Sequence, residues 1–396
     1  MHQVERALFD IRRGLPVLLR DAKESVLVQP LESLDDHTLE RLVTSAGSEP
    51  GLVLSRHRLA LLGRQISAES ARLPLAPREL DDLARLNALA FGRRGAAPCS
   101  MPCPAPVAAS RTDHAALTLM RRALLIPAAL TARVAPHAED SIHALVGDGT
   151  LLAIDAADAA RCFENANGML KRVSEARIPL AEAPESRFIL FREPDGLREH
   201  LAIVIGDTAR WPATVPLRLH SACLTGDLFG SLRCDCGEQL RNAVAEIQAL
   251  GGGVLLYLAQ EGRGIGLANK LRAYSLQDEG LDTLDADQVL GFGEDERRYG
   301  IAVDMLAALK IHRVQLLTNN PVKIAALIEG GIDVADRQAL YGRLTDENHR
   351  YLSAKASRAG HLLDELMSGA LGTEPNDALD DSRNEVGIDQ PGSRRA

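Results

Sequence analysis

The stretch RLHSACLTGDLFGSLRCDCGEQL, from Arg218 to Leu240, sets Cys223, Cys234 and Cys236 in a C-x10-C-x-C arrangement, with His220 close by. Three thiolates on Zn²⁺ leave one tetrahedral position for water, which separates a catalytic zinc from a closed structural one. Water held that way ionises near neutral pH and becomes a nucleophile. Buried cysteines are otherwise small hydrophobes. Here the turn signal DCG and the flanking Asp227, Arg233 and Asp235 argue against an apolar setting for all three thiols. His220 is open to three readings: a fourth ligand that closes the site, a proton shuttle, or a hydrogen-bonded histidine. Spacing does not choose among them.

Further along, GVLLYLAQ reads as a strand running into EGRGIGLANKLRAY, a glycine-bearing turn that opens a helix with Arg263, Lys270 and Arg272 near its start. Glycines let backbone N–H groups approach an anion, and a helix N-terminus favours negative charge. The same glycines also serve any turn that needs a positive φ. Lys270 and Tyr274 are four apart and share a helix face. GFGEDERRYG sets Asp295 and Arg297 at i and i+2 where a helix is predicted to begin, so the two meet one ligand only if they straddle its start. An acidic first turn favoured by the helix dipole is the simpler account of that stretch. VQLLTNNPVKIAAL ends a strand in an N-cap with Pro321 at the first helical position, placing Thr318 and Lys323 at the carboxyl edge of a sheet, where α/β ligands bind.

The elements that must hold these residues change character along the chain. Residues 4–28 predict an amphipathic helix followed by a short strand around Pro16–Leu19, with helices at 33–46, starting from Ser33, and at 78–91. A Pro/Ala/Ser-rich segment between Arg94 and Thr112 reads as a linker, and residues 113–170 read as helical. From about 172, SRFILFRE, HLAIVIGD and TVPLRLHSACL suggest an antiparallel β-rich segment. The chain then alternates: helix 237–250, strand 253–260, helices 266–279 and 295–309, strand 314–319 and helix 321–329, which means an α/β layer. The expected fold is mixed α/β (α+β): an N-terminal degenerate α/β domain over 1–170, a compact mixed-sheet catalytic domain over 171–368, and a disordered tail over 369–396.

Composition agrees with a soluble globular chain of 396 residues, 46% hydrophobic, 25% charged and 3% aromatic, long enough for about two or three domains. The net charge of −9 argues against a general nucleic-acid binder, which needs a basic face. Part of that charge sits in the tail, where six acids from Glu374 to Asp389 face Arg383, Arg394 and Arg395. No apolar run approaches the ~20 residues of a membrane span, and the opening lacks a secretory signal, so a cytoplasmic location is expected. In that reducing setting the six cysteines are expected as thiols or ligands. Cys99 and Cys103 are a weaker candidate pair, and Cys162 reads as packing.

Taken together and in this order, the thiol triad, EGRGIG, the Arg-Ala-Tyr helix, DER and LTNNP resemble GTP cyclohydrolase II over roughly residues 172–365. The resemblance implies Cys223, Cys234 and Cys236 as ligands of one Zn²⁺. It places Arg218, Leu219, His220, Ser221, Ala222, Gln239, Glu261, Gly262, Arg263, Thr283, Thr318 and Lys323 against GTP. It makes Asp295 the proton acceptor and Arg297 the nucleophile, with Tyr274 beside the reacting base. In the implied reaction Arg297 attacks the α-phosphate to release pyrophosphate with the help of Mg²⁺, while activated water attacks C8 and formate departs. A guanidinium is normally fully protonated, and the alternative role for Arg297 is an electrostatic clamp on the transferred phosphate. A homodimer is implied as well. One departure is Ala222, where many members carry Glu before the first zinc cysteine.

VERALFDIRRGLPVLLRDAKES, 4–25, resembles the opening of dihydroxybutanone-phosphate synthase, the domain that precedes cyclohydrolase II in bifunctional riboflavin enzymes. That family's dense acidic run is reduced here to Asp21 and Glu24, and its Arg-x-Gly-His motif is missing, so no synthase activity is expected. Two other readings stand beside the enzyme: a catalytically altered or inactive nucleotide-binding relative, and a structural zinc module closed by His220.

Overall fold

The computed structural model describes residues 2–75, 82–92, 103–162, 169–342 and 345. Two seven-stranded sheets organise them. The first half runs through helix α1 (His2–Arg12), strands β1 (Val17–Arg20) and β2 (Ser25–Pro30), α2 (Asp36–Ala46), β3 (Gly51–Ser55), α3 (Arg56–Leu61), β4 (Ser70–Pro74) and α4 (Leu83–Phe91). It continues with β5 (Val107–Ala108), α5 (Arg111–Arg122), β6 (Ala128–Arg133), α6 (Glu139–Gly147), β7 (Leu152–Asp155) and α7 (Ala156–Ala160). The sheet order is β5-β4-β3-β6-β2-β1-β7. Successive side chains of a strand point to opposite faces. Val26 and Val28 of β2 therefore pack with Leu8 and Ile11 of α1 and Met120 of α5, while Leu27 packs with Leu39 and Leu42 of α2 on the other face.

Several expectations are corrected here. The segment 113–170 is not continuously helical: AALTAR forms β6, a buried strand between β3 and β2, and LAID forms β7. Alanine favours a helix locally, but pairing on both edges overrides that weak preference. Helix α2 starts from Asp35 rather than Ser33, because the Asp35 carboxylate accepts from the Thr38 N–H at 2.7 Å while the Thr38 hydroxyl accepts from the Asp35 N–H. Ser33 instead ends a 3-10 turn. Part of the predicted linker, Cys99 and the tail 369–396 lie outside the described residues.

The second half contains β8 (Lys171–Arg177), β9 (Ser186–Arg192), β10 (Glu199–Ile205), β11 (Val215–Ser221), α8 (Leu224–Asp227), α9 (Cys236–Ala249), β12 (Gly253–Leu258) and α10 (Leu267–Asp278). It ends with α11 (Thr283–Val289), α12 (Gly300–Ala308), β13 (Arg313–Leu317), α13 (Pro321–Glu329) and β14 (Asp333–Gln338), in sheet order β14-β13-β11-β12-β10-β9-β8. The antiparallel expectation for SRFILFRE, HLAIVIGD and TVPLRLHSACL holds for β9 and β10, which pair antiparallel, but not for β11, which runs parallel to both β12 and β13. The carboxyl ends of β11, β12 and β13 thus open at one edge, and every candidate motif leaves from it or from the loops beside it. Leu217 and Leu219 of β11 face a core with Ile301 and Met305 of α12, so Arg218 and His220 face the opposite layer, built by α9.

Helices α10 and α11 do not pack on this second sheet alone. Ala273, Leu276, Ala286 and Val289 share one hydrophobic core with Leu18, Leu52 and Leu54 of the first sheet. No helix among the described residues is long and apolar enough to cross a membrane.

Candidate active site

Strand β11 ends at Ser221, and the chain turns sharply to put Cys223 at the start of α8, while Cys234 and Cys236 return at the start of α9. The three sulfurs lie within 4.8 Å of one another, and Cys223 Sγ is 3.7 Å from Cys234 Sγ. A tetrahedral ion with Zn–S bonds of ~2.3 Å requires sulfurs about 3.8 Å apart, which the Cys223–Cys234 pair matches, and the third sulfur lies close enough to join them. Gly226 makes the convergence possible: a Cβ there would stand 2.8 Å from Cys234 Sγ, 3.0 Å from Cys236 Cβ and 3.1 Å from Cys223 Sγ.

Positive charge meets the cluster from α10. Lys270 Nζ donates to Cys223 Sγ at 3.1 Å, to Thr225 Oγ1 at 2.9 Å and to Glu261 Oε1 at 2.8 Å. Hydrogen bonds from Cys234 and Cys236, with the Lys270 ammonium, hold the Cys223 thiol far below its usual range, and Cys234, hydrogen-bonded to Cys223, is pushed up to about 11. Burial works against the Lys270 charge, but Glu261 and the Cys223 sulfur outweigh it. The Lys270 ammonium against Cys223 favours its thiolate, the form that binds metal. Tyr274 lies on the same side of α10 as Lys270, its ring 5.0 Å from the Arg233 guanidinium and 5.6 Å from Lys270 Nζ.

His220 is not grouped with the thiols. Its Nε2 pairs with Asp227 at 3.1 Å, its ring stacks on Tyr257 at 5.5 Å, and Asp227 also accepts from Tyr257 Oη and the Cys223 N–H, each at 2.9 Å. Burial keeps the imidazole below its ordinary value despite Asp227. This arrangement does not close the site with a fourth protein ligand. It orients the loop that carries Cys223.

Beneath the same edge, Arg218 is buried. It donates to Leu317 O at 2.7 Å and Gln239 Oε1 at 2.6 Å, while Gln239 reaches on to Asp235. Burial brings Arg218 down to about 10, and it stays charged. Lys323 Nζ donates to Leu219 O at 2.7 Å, and Thr318 Oγ1 accepts from the Asn320 N–H at 3.1 Å. Ala222 continues the strand edge, its N–H donating to Leu258 O at 2.8 Å, and Ser221 is half-buried.

The loop after β12 is a left-handed pair, Gly262 at φ 60° and Arg263 at φ 58°. Glycine adopts this conformation freely, whereas Arg263 is held by its neighbours. Arg263 Nη2 donates to Thr283 O at 3.2 Å and pairs with the buried Asp287, and its carbonyl accepts from the Glu296 N–H at 3.1 Å. Burial raises the Asp287 carboxyl to about 6. Gly264 at φ +97° lies where a Cβ would come within 2.7 Å of the Glu296 backbone.

That close approach explains a further correction. The predicted helix 295–309 begins only at Gly300, and Asp295–Tyr299 is irregular backbone pinned by Gln260, whose side chain donates to Arg298 O and accepts from Arg298 N–H at 2.9 and 2.6 Å. Off the helix, Asp295 and Arg297 can face the same way. Arg297 Nε and Nη2 donate to the Asp295 carboxylate at 2.8 and 2.6 Å, a two-point ion pair. Burial opposes the Asp295 charge, but Arg297 outweighs it and holds the carboxyl below its usual range.

A family model described as GTP cyclohydrolase II matches residues 171–339. The chain is 43% identical over 380 residues to a protein of Xylella fastidiosa named GTP cyclohydrolase-2, with 95% of this chain and 92% of that protein covered. The chain belongs to the GTP cyclohydrolase II family. A GTP cyclohydrolase-2 of Azospirillum brasilense is 41% identical over 366 residues, 91% of this chain and 94% of that one. Among solved structures, a two-domain 3,4-dihydroxy-2-butanone 4-phosphate synthase of A. baumannii covers 85% of this chain and 98% of its own at 18% identity, with a TM-score of 0.35. The chain is accordingly an enzyme of the cyclohydrolase II family.

Reading by residue type missed several members of the site. Gly226 was hidden inside the cysteine spacing, the bonds of Asp227 to the Cys223 N–H and to Tyr257 were not visible in it, and Tyr257 is distant in sequence from the thiols. Lys270 was visible as a helix-face residue, but its contact with Cys223 was not. Asp287, the buried partner of Arg263, lies on α11, a helix the sequence pattern did not reveal.

Proposed function

We propose that this chain hydrolyses GTP to 2,5-diamino-6-(5-phosphoribosylamino)pyrimidin-4(3H)-one, formate and pyrophosphate, the entry step of riboflavin synthesis. Zinc sits on Cys223, Cys234 and Cys236, Mg²⁺ accompanies the triphosphate, and the chain works as a homodimer in the cytoplasm. The observation that carries the reading is the spacing of three thiols around Gly226, with the Lys270 ammonium against one of them. Zinc bound there supplies a water acidic enough to act as a nucleophile at neutral pH.

The chain's own residues do the rest. Arg218, Leu219, His220, Ser221, Ala222, Gln239, Glu261, Gly262, Arg263, Thr283, Thr318 and Lys323 surround GTP, and Tyr274 lies beside the base. Asp295 accepts a proton and Arg297 engages the α-phosphate. The two-point pair keeps Arg297 protonated at rest, which favours an electrostatic clamp unless Asp295 takes the proton as phosphate arrives. Residues 1–170 are non-catalytic, and residues from 171 onward carry the chemistry.

The test incubates zinc-loaded protein with GTP and Mg²⁺ and quantifies formate, pyrophosphate and the diaminopyrimidine, with Cys234→Ser alongside. Equimolar formate and pyrophosphate, lost in the variant, are expected. Zinc and GTP binding without formate would instead make the chain an inactive nucleotide-binding relative, with Ala222 the first position to restore to Glu.

A further inference from the structure

Behind the loop that carries Asp295 and Arg297, four arginines converge on one cleft. Arg121 and Arg122 come from the end of α5, Arg198 from the turn before β10, and Arg298 from the segment before α12. The cleft is open at its mouth and encloses about 20 Å³, the room of about one water, so an oxyanion bound here sits partly in the mouth. Its lining alternates with the active site along the chain. Gln260, Gly264 and Glu296 face the cleft, while their neighbours Glu261, Arg263, Asp295 and Arg297 belong to the site described above.

Three carboxylates, Glu193, Asp195 and Glu296, stand among these four arginines. Arg122 pairs with both Glu193 and Asp195, Glu193 also binds His200 at 2.9 Å, and Arg121 Nε stands 3.8 Å from Glu296, too far for a hydrogen bond. Arg198 is only 8% exposed, lines the cleft, and its Nη1 has no hydrogen-bond partner. A buried guanidinium N–H left without an acceptor is costly, and an arginine fork suits phosphate oxygens.

We propose that this cleft is a second anion site, separate from the GTP pocket, that takes one phosphate group on Arg198, Arg121 and Arg298. The group is either free orthophosphate or the phosphate of a small monoester. The site belongs to both halves of the chain, since Arg121 comes from the first and Arg198 and Arg298 from the second. Arg298 is tied through Gln260 to the start of the 261–264 loop, and Glu296 through its N–H to Arg263, so an occupant here pulls on backbone that also positions Arg263 and Arg297. That consequence for catalysis rests on the proposed cyclohydrolase reading, whereas anion binding does not.

The experiment titrates zinc-loaded full-length protein with orthophosphate, and separately with glycerol 3-phosphate, by calorimetry in the presence of a saturating non-hydrolysable GTP analogue. One phosphate per chain should still bind, at least about tenfold more weakly in Arg198→Gln and intermediate in Arg198→Lys. Arg121→Ala, at the cleft mouth, serves if the buried variants do not fold, and should weaken binding as well. The stronger of the two titrants identifies the source of the phosphate group. Wild-type affinity in folded Arg198→Gln and Arg121→Ala, or no phosphate binding once the analogue is bound, overturns the proposal. If the protein binds no GTP analogue and releases no formate, the cyclohydrolase reading fails by itself, and the Arg198 dependence of phosphate binding is then measured without analogue.

Discussion

The two halves have the same architecture, a seven-stranded sheet with helices on its faces, yet they treat buried polar groups in opposite ways. In the first half such groups satisfy one another. Thr112 donates to Glu24, Asp113 accepts from Thr131 at 2.8 Å, and Ser70 pairs with His114 at 2.7 Å. Asp21 accepts from the backbone N–H groups of Lys23 and Glu24. In the second half, three thiols crowd around Gly226 with a lysine against one of them, a donor set that could hold a metal ion. A polar cluster closed on itself serves folding, whereas one held open by its surroundings serves a ligand.

Removing metal is the largest perturbation of this contrast. Dialysis against a strong zinc chelator should abolish formate release, added zinc should restore it, and hydrogen exchange should rise around 223–236 while the first sheet stays protected. Equal loosening of both halves would break the comparison. Next comes Gly226→Ala, whose Cβ has no room beside the sulfurs. Zinc affinity, read by competition with a chromogenic chelator, should fall roughly 10–100-fold, a loss of the size seen for residues that support ligands.

Arg58→Met sharpens the comparison by asking whether the first half is mere ballast. Arg58 is 2% exposed and donates to Leu89 O at 2.7 Å, to Ala88 O and Gly92 O at 2.6 Å, and to Val289 O at 3.0 Å on α11. Stripping these carbonyls of their donor should cost on the order of 3 kcal/mol in urea denaturation. It should also lower kcat for formate release, because Val289 leads through Gly291, itself held by Ser55 at 2.6 Å, to Asp295. Full kcat in a destabilised Arg58→Met protein would show that the halves act independently. The smallest expected effect is none: ribulose 5-phosphate should yield no dihydroxybutanone phosphate. Any turnover there would mean that the closed polar cluster of the first half opens in solution.

Much of the second half was legible from the chain alone because its signals are local. Cysteine spacing, the glycine-bearing turn after a buried strand, and Pro321 after an asparagine cap are short-range patterns, and α9, β12, α10, β13 and α13 form within a few residues of where those patterns predict them. The first half was less legible. AALTAR carries no alternation and much alanine, and only its place between β2 and β3 makes it a strand. The irregular course of Asp295–Tyr299 also escaped notice, because Gln260 and Gly264, which impose it, are more than thirty residues upstream.

By itself, then, the sequence determined which side chains are available for chemistry: three thiols at ligand spacing, an Asp and an Arg two apart, and basic residues after a glycine turn. These are properties of composition and short spacing, which the backbone's few allowed conformations carry into structure. Tertiary structure alone decided that His220 pairs with Asp227 instead of joining the thiols, that Lys270 meets Cys223, and that α10 and α11 share a core with the first sheet. The reason is that such contacts join residues distant in the chain. No local propensity encodes them, and they appear only when packing brings those surfaces together.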